Sequence, residues 1–278
     1  MGGLCQRCLR PAVRGLCQLS GEPRGSRRQV ALLKLPAGHR LIHFERIDST
    51  NAEARRLAEG GERGPLWIWS DEQTGGRGRL GRTWVSERGN LYVTCLFQTA
   101  AAVAAVAQVS FVAAIAVHEV ASNLSPKENF FLKWPNDVLM DGAKFCGILA
   151  EVVGTDPTRV ALGCGINLAH APKGTPYPVA ALGGEYTPDS ILPKLALSFW
   201  NWLEIWDEGR GFPAIRKAWL ERAAGVGKEV SVDGTIGRFE GLDTDGALLM
   251  TLSDGTRKHI HAGEVRFADI EEMRLGKI

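Results

Sequence analysis

The chain has 278 residues, of which 45% are hydrophobic and 23% are charged, the composition of a soluble globular protein with one or two domains. This composition excludes a disordered chain, a collagen-like fibre and a protein with several membrane spans. The charge is unevenly distributed: residues 1–40 hold eight Arg or Lys and one acidic residue, whereas the remainder holds 25 basic and 30 acidic residues. A net-acidic body argues against a general nucleic-acid binder.

The first 40 residues alternate Arg, Gly, Pro and Ser with no hydrophobic period and no apolar stretch of the length of a secretory signal. They are predicted to form a disordered basic extension, with a targeting leader as the alternative. Cys5, Cys8 and Cys17 lack a nearby fourth ligand for a structural zinc site. The other cysteines lie in apolar runs and are predicted to be buried thiols of a reduced, cytoplasmic protein: Cys95, Cys146 and Cys164.

Hydrophobic periodicity and turn residues predict an alternation of strands and helices after this extension. Residues 89–118 contain no charged side chain, but Gln108 and Ser110 interrupt the apolar run, so a buried core helix is favoured over a membrane span. Thr50 begins a capping box, Thr50-Asn51-Ala52-Glu53. The predicted strands are 41–46, 66–70, 90–97, 130–134, 138–140, 144–153 and 159–168, and the predicted helices are 50–59, 103–123, 189–207 and 213–223.

From Lys228 the pattern changes to five short β-rich runs separated by Asp-Gly turns. Such spacing is typical of a small barrel or sandwich. The sequence therefore predicts three parts: the extension 1–40, a larger domain 41–224 and a small β-domain 225–270.

The strongest local signal is the segment Gly75-Gly76-Arg77-Gly78-Arg79-Leu80-Gly81-Arg82. Glycines allow the backbone to approach a ligand closely, and arginines bind phosphate or carboxylate. The segment matches neither a P-loop nor a dinucleotide fingerprint. It is short and lies between two predicted strands, which favours a loop that closes over an anion rather than a flexible RNA-binding segment.

A second signal combines Lys133-Trp134-Pro135-Asn136-Asp137 with Lys144. The Asp141-Gly142 turn is expected to fold Lys144 back beside Asn136 and Asp137. A lysine at this position is a candidate ligand for phosphate or carboxylate, and a solvated strand end is the alternative.

Two weaker signals accompany these. Gly163-Cys164-Gly165-Ile166-Asn167 places two glycines inside an apolar strand, which indicates close ligand approach or a packing kink. Asp48-Ser49-Thr50-Asn51, with Gln73, offers hydroxyls and amides for an uncharged polar group, while helix capping explains Ser49 and Thr50 equally well.

Together and in this order, these motifs resemble the biotin protein ligase family, from about Ile42 through Asp269. The resemblance implies an α+β fold in which a mixed sheet backed by helices, of the class II synthetase-like biotin/lipoate ligase type, is followed by an SH3-like β-barrel. It also implies a two-step reaction: biotin and Mg-ATP form biotinyl-5′-adenylate, and the biotinyl group then passes to one lysine of a biotin carboxyl carrier protein. Residues 1–40 are too short and too rich in Gly and Pro for the repressor domain of some members, so we expect no operator binding. We also expect no membrane partner, because the long apolar run is interpreted as a core helix.

Matching positions then imply site residues. Lys144, Asp137 and Arg79 would be catalytic, with Asp137 as the proton acceptor for the carrier lysine or, alternatively, as a turn cap or Mg²⁺ ligand beside Asn167. The biotin site would comprise Ser49, Thr50, Gln73, Gly76, Arg77, Gly78, Arg79, Lys144, Gly147 and Leu149, and the ATP and adenylate site Arg77, Arg79, Arg82, Lys133, Asn136, Lys144 and Asn167.

Two other functions are considered. A lipoate–protein ligase shares the fold and the adenylate chemistry, but the Gly-Arg loop and the Trp-Pro-Asn-Asp turn favour biotin. A non-enzymatic module that binds a partner through the barrel and RNA through the loop would need neither Lys144 nor Asp137.

Overall fold

The computed structural model describes residues 27–28 and 33–267. The described residues form an eight-stranded sheet followed by a five-stranded sheet. In the first sheet the strand order is β1-β2-β3-β4-β8-β7-β6-β5, with β2 and β3 parallel and the other neighbours antiparallel. Its strands are β1 (Arg27–Arg28), β2 (Arg40–Phe44), β3 (Leu66–Ser70), β4 (Leu91–Thr99), β5 (Phe130–Lys133), β6 (Asp137–Met140), β7 (Ala143–Thr155) and β8 (Thr158–Ile166).

Helices cover both faces of this sheet, and the predicted mixed sheet backed by helices is confirmed. The first helix packs against β3, β4, β7 and β8 on one face, and the other helices build the larger core on the opposite face. The Ser49 side chain accepts a hydrogen bond from the Ala52 N–H and so starts the first helix. The helices are α1 (Thr50–Glu59), α2 (Val109–Leu124), α3 (Pro188–Trp206) and α4 (Phe212–Leu220).

The period-two pattern of β8 decides where a ligand can approach. Cys164 faces the large core, whereas Gly163 and Gly165 face the α1 side. Because these two positions carry no side chain, other side chains of the α1 face approach this strip of backbone closely. The site described below lies on that strip.

The long apolar run forms a core helix, as predicted, with one difference. Residues Val103–Gln108 form a 3₁₀-helix, and the α-helix begins only at Val109. The Gln108 side chain accepts a hydrogen bond from the Trp206 indole N–H at 2.9 Å, a contact between distant segments that local periodicity does not contain. Within the described residues, Val103–Leu124 is the one segment long and apolar enough to cross a membrane, and 61% of its apolar window is buried in the protein.

The second sheet follows α4 and has the strand order β12-β11-β10-β9-β13. It shares its core with the first sheet, because Val230 and Phe239 belong to the same hydrophobic cluster as α2 and α4. The Trp134 indole N–H also donates to Gly246 O at 3.1 Å. The strands are β9 (Glu229–Val232), β10 (Thr235–Leu242), β11 (Leu248–Thr251), β12 (Arg257–Ile260) and β13 (Val265–Phe267).

The predicted disordered extension is too long at its C-terminal end. Leu33 and Leu35 pack against the large core, and the His39 imidazole accepts a hydrogen bond from the Trp67 indole N–H at 3.0 Å. The backbone at Arg27–Arg28 pairs with β2. The prediction rested on charge and on Gly and Pro content, and neither property reveals that Leu33 and Leu35 pack against the core. The predictions for residues 1–26, including Cys5, Cys8 and Cys17, for residues 29–32 and for residues 268–270 lie outside the described residues.

The three cysteines that the structure does describe are free and buried, as predicted. Burial raises the pKa of each thiol, that of Cys164 to about 12. They therefore behave as small apolar side chains rather than as nucleophiles.

Candidate active site

Glycines form the bottom of a cavity on the α1 face, and Trp84 lies directly on them. Gly147 of β7 and Gly165 of β8 are paired across the sheet. A Cβ atom on Gly165 would lie 2.4 Å from the Trp84 indole nitrogen, and one on Gly147 would lie 2.8 Å from its ring. Both positions must therefore be glycine for Trp84 to pack there. The indole N–H of Trp84 is buried and has no hydrogen-bond partner.

Lys144 and Asp137 form an ion pair at one end of this cavity, with Lys144 Nζ 2.8 Å from Asp137 Oδ1. The turn at Asp141 and Gly142, both in the left-handed region, folds β7 back on β6 and so brings the two side chains together. The expectation that this turn places Lys144 beside Asp137 is confirmed. Nζ also lies 5.3 Å from the centre of the Trp84 ring and 5.4 Å from that of Tyr177.

The Gly-Arg segment, residues 75–82, forms a tight loop over this end and is called the lid here. Gly78 N–H donates to Arg82 O at 2.7 Å, and Trp84 N–H donates to Gly76 O at 2.9 Å. Leu80 lies at its tip with φ +56° and is 78% exposed. A mostly exposed leucine in the left-handed region marks a loop shaped by its own hydrogen bonds rather than by a core.

Two arginines connect the lid to the rest of the site. Arg79 donates to Asn136 Oδ1 at 3.1 Å, and Arg82 pairs at 2.8 Å with Glu264, the residue that precedes β13. Burial lowers the pKa of Arg79, and burial likewise lowers that of Lys133, which means that both cations have lost hydration that an anionic ligand would replace. Burial alone would raise the pKa of Glu264, but the hydrogen bond from Arg82 holds it below its usual value. This part of the cavity, here the lid end, is thus built to receive negative charge.

The opposite part, here the α1 end, is neutral and polar. Ser49, Asn51 and Gln73 line it. Gln73 Nε2 donates to Ser86 Oγ at 2.9 Å, and its Oε1 accepts from Thr50 N–H at 2.8 Å. These contacts orient the amide of Gln73, so this end presents groups suited to an uncharged polar ligand.

The structure brings most of the predicted site residues together but places three outside the cavity lining. Thr50 is 4% exposed and turned toward Gln73. Gly76 packs against the backbone of Trp84, and a Cβ atom on Gly76 would lie only 2.4 Å from Trp84 O. Asn167 is 2% exposed, and its amide donates to Ala180 O at 3.1 Å, which ties down a distant loop. The predicted residues that do line the cavity are Ser49, Gln73, Arg77, Gly78, Arg79, Arg82, Lys133, Asn136, Asp137, Lys144, Gly147 and Leu149.

Thirteen lining residues were not among the predicted site residues, and four of them show which signals were missed. Trp84 follows the lid by two residues, and an aromatic side chain beside a Gly-Arg loop is a usable signal. Asn51 lies within a motif that was interpreted as helix capping. Tyr177 and Glu264 come from remote segments with no local pattern to distinguish them.

The donor set limits how Mg²⁺ can bind. Among the described residues, no three His, Cys, Asp or Glu side chains cluster as a metal cage. Asp137 Oδ1 contacts Lys144 but accepts no well-formed hydrogen bond, so it can serve as one carboxylate ligand. One carboxylate fits a magnesium ion held mainly by substrate phosphates and water. Asn167 does not fit the role predicted for it, because its amide is buried against Ala180 O.

Family models match both parts of the chain. Residues 43–167 match the biotin/lipoate A/B protein ligase family, and residues 226–267 match the biotin protein ligase C-terminal domain. The biotin–[acetyl-CoA-carboxylase] ligase of Paracoccus denitrificans is 42% identical over 238 residues, which cover 80% of this chain and 98% of that protein. A bifunctional ligase/repressor of Bacillus subtilis is 28% identical over 249 residues, covering 84% of this chain and 74% of that protein.

Solved structures agree with these sequence matches. The biotin protein ligase of Aquifex aeolicus in complex with biotin and ATP superposes with a TM-score of 0.69 at 27% identity, over 82% of this chain and 97% of that one. The neutral α1 end, the cationic lid end and both matched regions agree with one assignment. The chain belongs to the biotin protein ligase family, and its second sheet is the SH3-like C-terminal domain of that family.

Proposed function

We propose that this protein activates biotin with ATP and transfers the biotinyl group to a lysine of a biotin carboxyl carrier protein. The observation that supports this most directly is one cavity with two chemically different ends. A neutral polar end suits the ureido head group of biotin. A cationic end suits the biotin carboxylate and the phosphates of ATP.

In the first step, a carboxylate oxygen of biotin attacks the α-phosphorus of ATP, and the bond to the departing pyrophosphate breaks. Two anions must meet, so the site needs fixed positive charge. Lys144 is proposed to contact both the carboxylate and the α-phosphate, with Arg77, Arg79, Arg82 and Lys133 around the phosphates. Mg²⁺ bound to the phosphates and Asp137 would neutralise further charge.

In the second step, the amine of the carrier lysine attacks the acyl carbon of the adenylate, an amide forms and AMP leaves. The lysine is an ammonium ion at neutral pH and must first lose a proton. Asp137 is proposed to accept it. A second cavity, lined by Tyr177, Pro178 and Phe267, reaches Asp137 and Lys144 from the side of the second sheet, and this gives the carrier lysine a route to the pair.

The lid is proposed to keep the adenylate from water between the two steps. Its backbone glycines allow it to move, while Arg79 and Arg82 provide contacts that hold it closed. The biotin carboxyl carrier protein of acetyl-CoA carboxylase or of a related carboxylase is the proposed partner. A cytoplasmic location is proposed from the free, buried thiols among the described residues. The absence of operator binding stays a prediction.

One experiment tests this function against lipoate ligation. The full chain is incubated with ATP, Mg²⁺, a carrier domain and either biotin or lipoate, and the intact mass of the carrier is measured. Addition of one biotinyl group is the expected result. Lipoylation instead, or no modification with either acid, would overturn the proposal. A carrier domain whose acceptor lysine is replaced by arginine is the matched control.

A further inference from the structure

A set of hydrogen bonds lies behind the α1 end, and groups that can only accept determine which side chain donates in each. Asn51 Nδ2 donates to Glu151 Oε2 at 2.8 Å and to Leu149 O at 3.3 Å. A carboxylate and a carbonyl can only accept, so the Asn51 amide has one possible orientation. Glu151 is itself held by Arg55, whose Nη2 lies 3.3 Å from Oε1.

The orientation of Asn51 then fixes that of Thr94. Thr94 is completely buried on β4, and its Oγ1 lies 2.6 Å from Asn51 Oδ1 and 2.8 Å from Thr50 Oγ1. A hydroxyl has one proton, and Asn51 Oδ1 only accepts, so Thr94 donates its proton there. The Thr50 hydroxyl lies within hydrogen-bond distance of both Thr94 Oγ1 and, at 3.1 Å, Gln73 Oε1. The donors run from Thr94 through Asn51 to the Glu151 carboxylate.

This arrangement leaves an acceptor at the cavity. Asn51 Oδ1 has two acceptor positions, and Thr94 occupies one of them. The oxygen lies against the bare backbone of Gly163, where a Cβ would be only 2.2 Å away, and both residues line the cavity. A ligand that enters the α1 end therefore meets a carbonyl oxygen whose orientation cannot reverse.

We propose that Thr94 and Glu151 are positioning residues that hold the Asn51 carbonyl as an acceptor and thereby select acids whose head group carries an N–H donor. Biotin has two such donors in its ureido ring, whereas the dithiolane ring of lipoate has none. The inference rests on the proposed function, because it concerns the choice of acid in the first step. It assigns that choice to two side chains that need not touch the ligand.

The test uses Thr94→Val, which keeps the shape of the side chain and removes the hydroxyl. The dissociation constants of biotin and of the two biotins methylated at one ureido nitrogen are measured by calorimetry on the full chain. We expect the variant to weaken biotin by about tenfold, to leave the KM for ATP within about twofold, and to weaken at least one methylated biotin clearly less. Unequal losses identify a coupling between Thr94 and the ureido N–H, as in a double-mutant cycle.

Three companions make the result decisive. Thr94→Ser keeps the hydroxyl and should bind biotin within about twofold of the unmodified protein. Thr99→Val is the matched control: it removes a hydroxyl that accepts from Ala101 N–H at 3.1 Å at the far end of the same strand, and should leave biotin affinity unchanged. Glu151→Gln replaces an obligatory acceptor by an amide that can also donate, and should repeat the pattern of Thr94→Val. If Thr94→Val does not fold, Glu151→Gln decides alone.

Equal losses for biotin and both methylated biotins would overturn the proposal, since a purely structural defect weakens all ligands alike. Unchanged biotin affinity in Thr94→Val and Glu151→Gln would also overturn it. Failure of the proposed function is a separate observation: the unmodified protein would then form no biotinyl-adenylate from biotin and ATP.

Discussion

The two ends of the cavity are held by different kinds of contact. At the α1 end, buried neutral groups such as Thr94 and Asn51 form hydrogen bonds with each other and have few other partners within reach. At the lid end, ion pairs join Lys144 to Asp137 and Arg82 to Glu264, and the Arg82 side chain is 53% exposed.

This difference matches what each end has to do. A buried polar group that loses its partner costs about 1–3 kcal/mol, so the α1 end is fixed once the chain has folded. An arginine or lysine can exchange a carboxylate for a phosphate without losing a charged partner. The lid end can therefore change its contacts during the reaction, while the α1 end provides a constant template.

Removal of Lys144 is expected to have the largest effect. Lys144→Ala should slow adenylate formation by about a hundred- to thousandfold, the usual loss for one contact to developing charge. The affinity for biotin should fall much less, because the α1 end is untouched. Rapid-quench measurement of adenylate formation checks the first expectation and calorimetry the second. Lys173→Ala, at an exposed position, serves as control. A loss of biotin affinity as large as the loss of rate would contradict the division between the two ends.

Asp137→Asn should act on the second step. General-base contributions begin at about a hundredfold, so transfer to the carrier should slow by that factor. Adenylate formation should change by only a few-fold, because asparagine keeps an oxygen for Mg²⁺. Single-turnover kinetics with preformed adenylate separates the two rates. If adenylate formation collapses instead, Asp137 serves the metal or its ion pair with Lys144, and the assignment as base is wrong.

Arg79→Gly should weaken the lid without abolishing adenylation. Loss of the contact between Arg79 and Asn136 removes a charge-assisted hydrogen bond, and release of biotinyl-adenylate should rise by about tenfold. Labelling of exposed lysines on a bystander protein measures this escape. An unchanged rate of release would show that Arg79 does not hold the lid closed.

The sequence predicted the lid end better than the α1 end. The Asp141-Gly142 turn is a local signal, and it is sufficient to place Lys144 beside Asp137. The packing of Trp84 on Gly147 and Gly165 is non-local, since it joins segments more than 60 residues apart, as their numbering shows. Neighbours in the sheet that are not consecutive along the chain, such as β4 and β8, cannot be read from periodicity.

The misplaced residues have related causes. Asn167 ends a glycine-containing strand, which suggested a polar group at the ligand, but the tertiary fold turns its amide to Ala180 O. Thr50 was expected to contact the ligand, but its backbone N–H and its hydroxyl instead contact Gln73 Oε1. Residue type and spacing identified the right segments, whereas side-chain direction depended on partners from other elements.

The smallest expected effect is a change in the free energy of unfolding caused by a substitution at the lid tip. It tests whether the lid tip contributes to the stability of the core. Leu80→Gly relieves a left-handed leucine, which costs about 1–2 kcal/mol, but it also makes the unfolded chain more flexible by about 0.4–1 kcal/mol. The free energy of unfolding should therefore rise by no more than about 1.6 kcal/mol. Urea denaturation checks this as a small upward shift of the midpoint at constant slope. Thr94→Val, at the α1 end, should move the midpoint in the opposite direction by a larger amount. If Leu80→Gly were instead clearly destabilising, the lid tip would contribute to the folded core, and the two ends of the cavity would not differ in the way their contacts indicate.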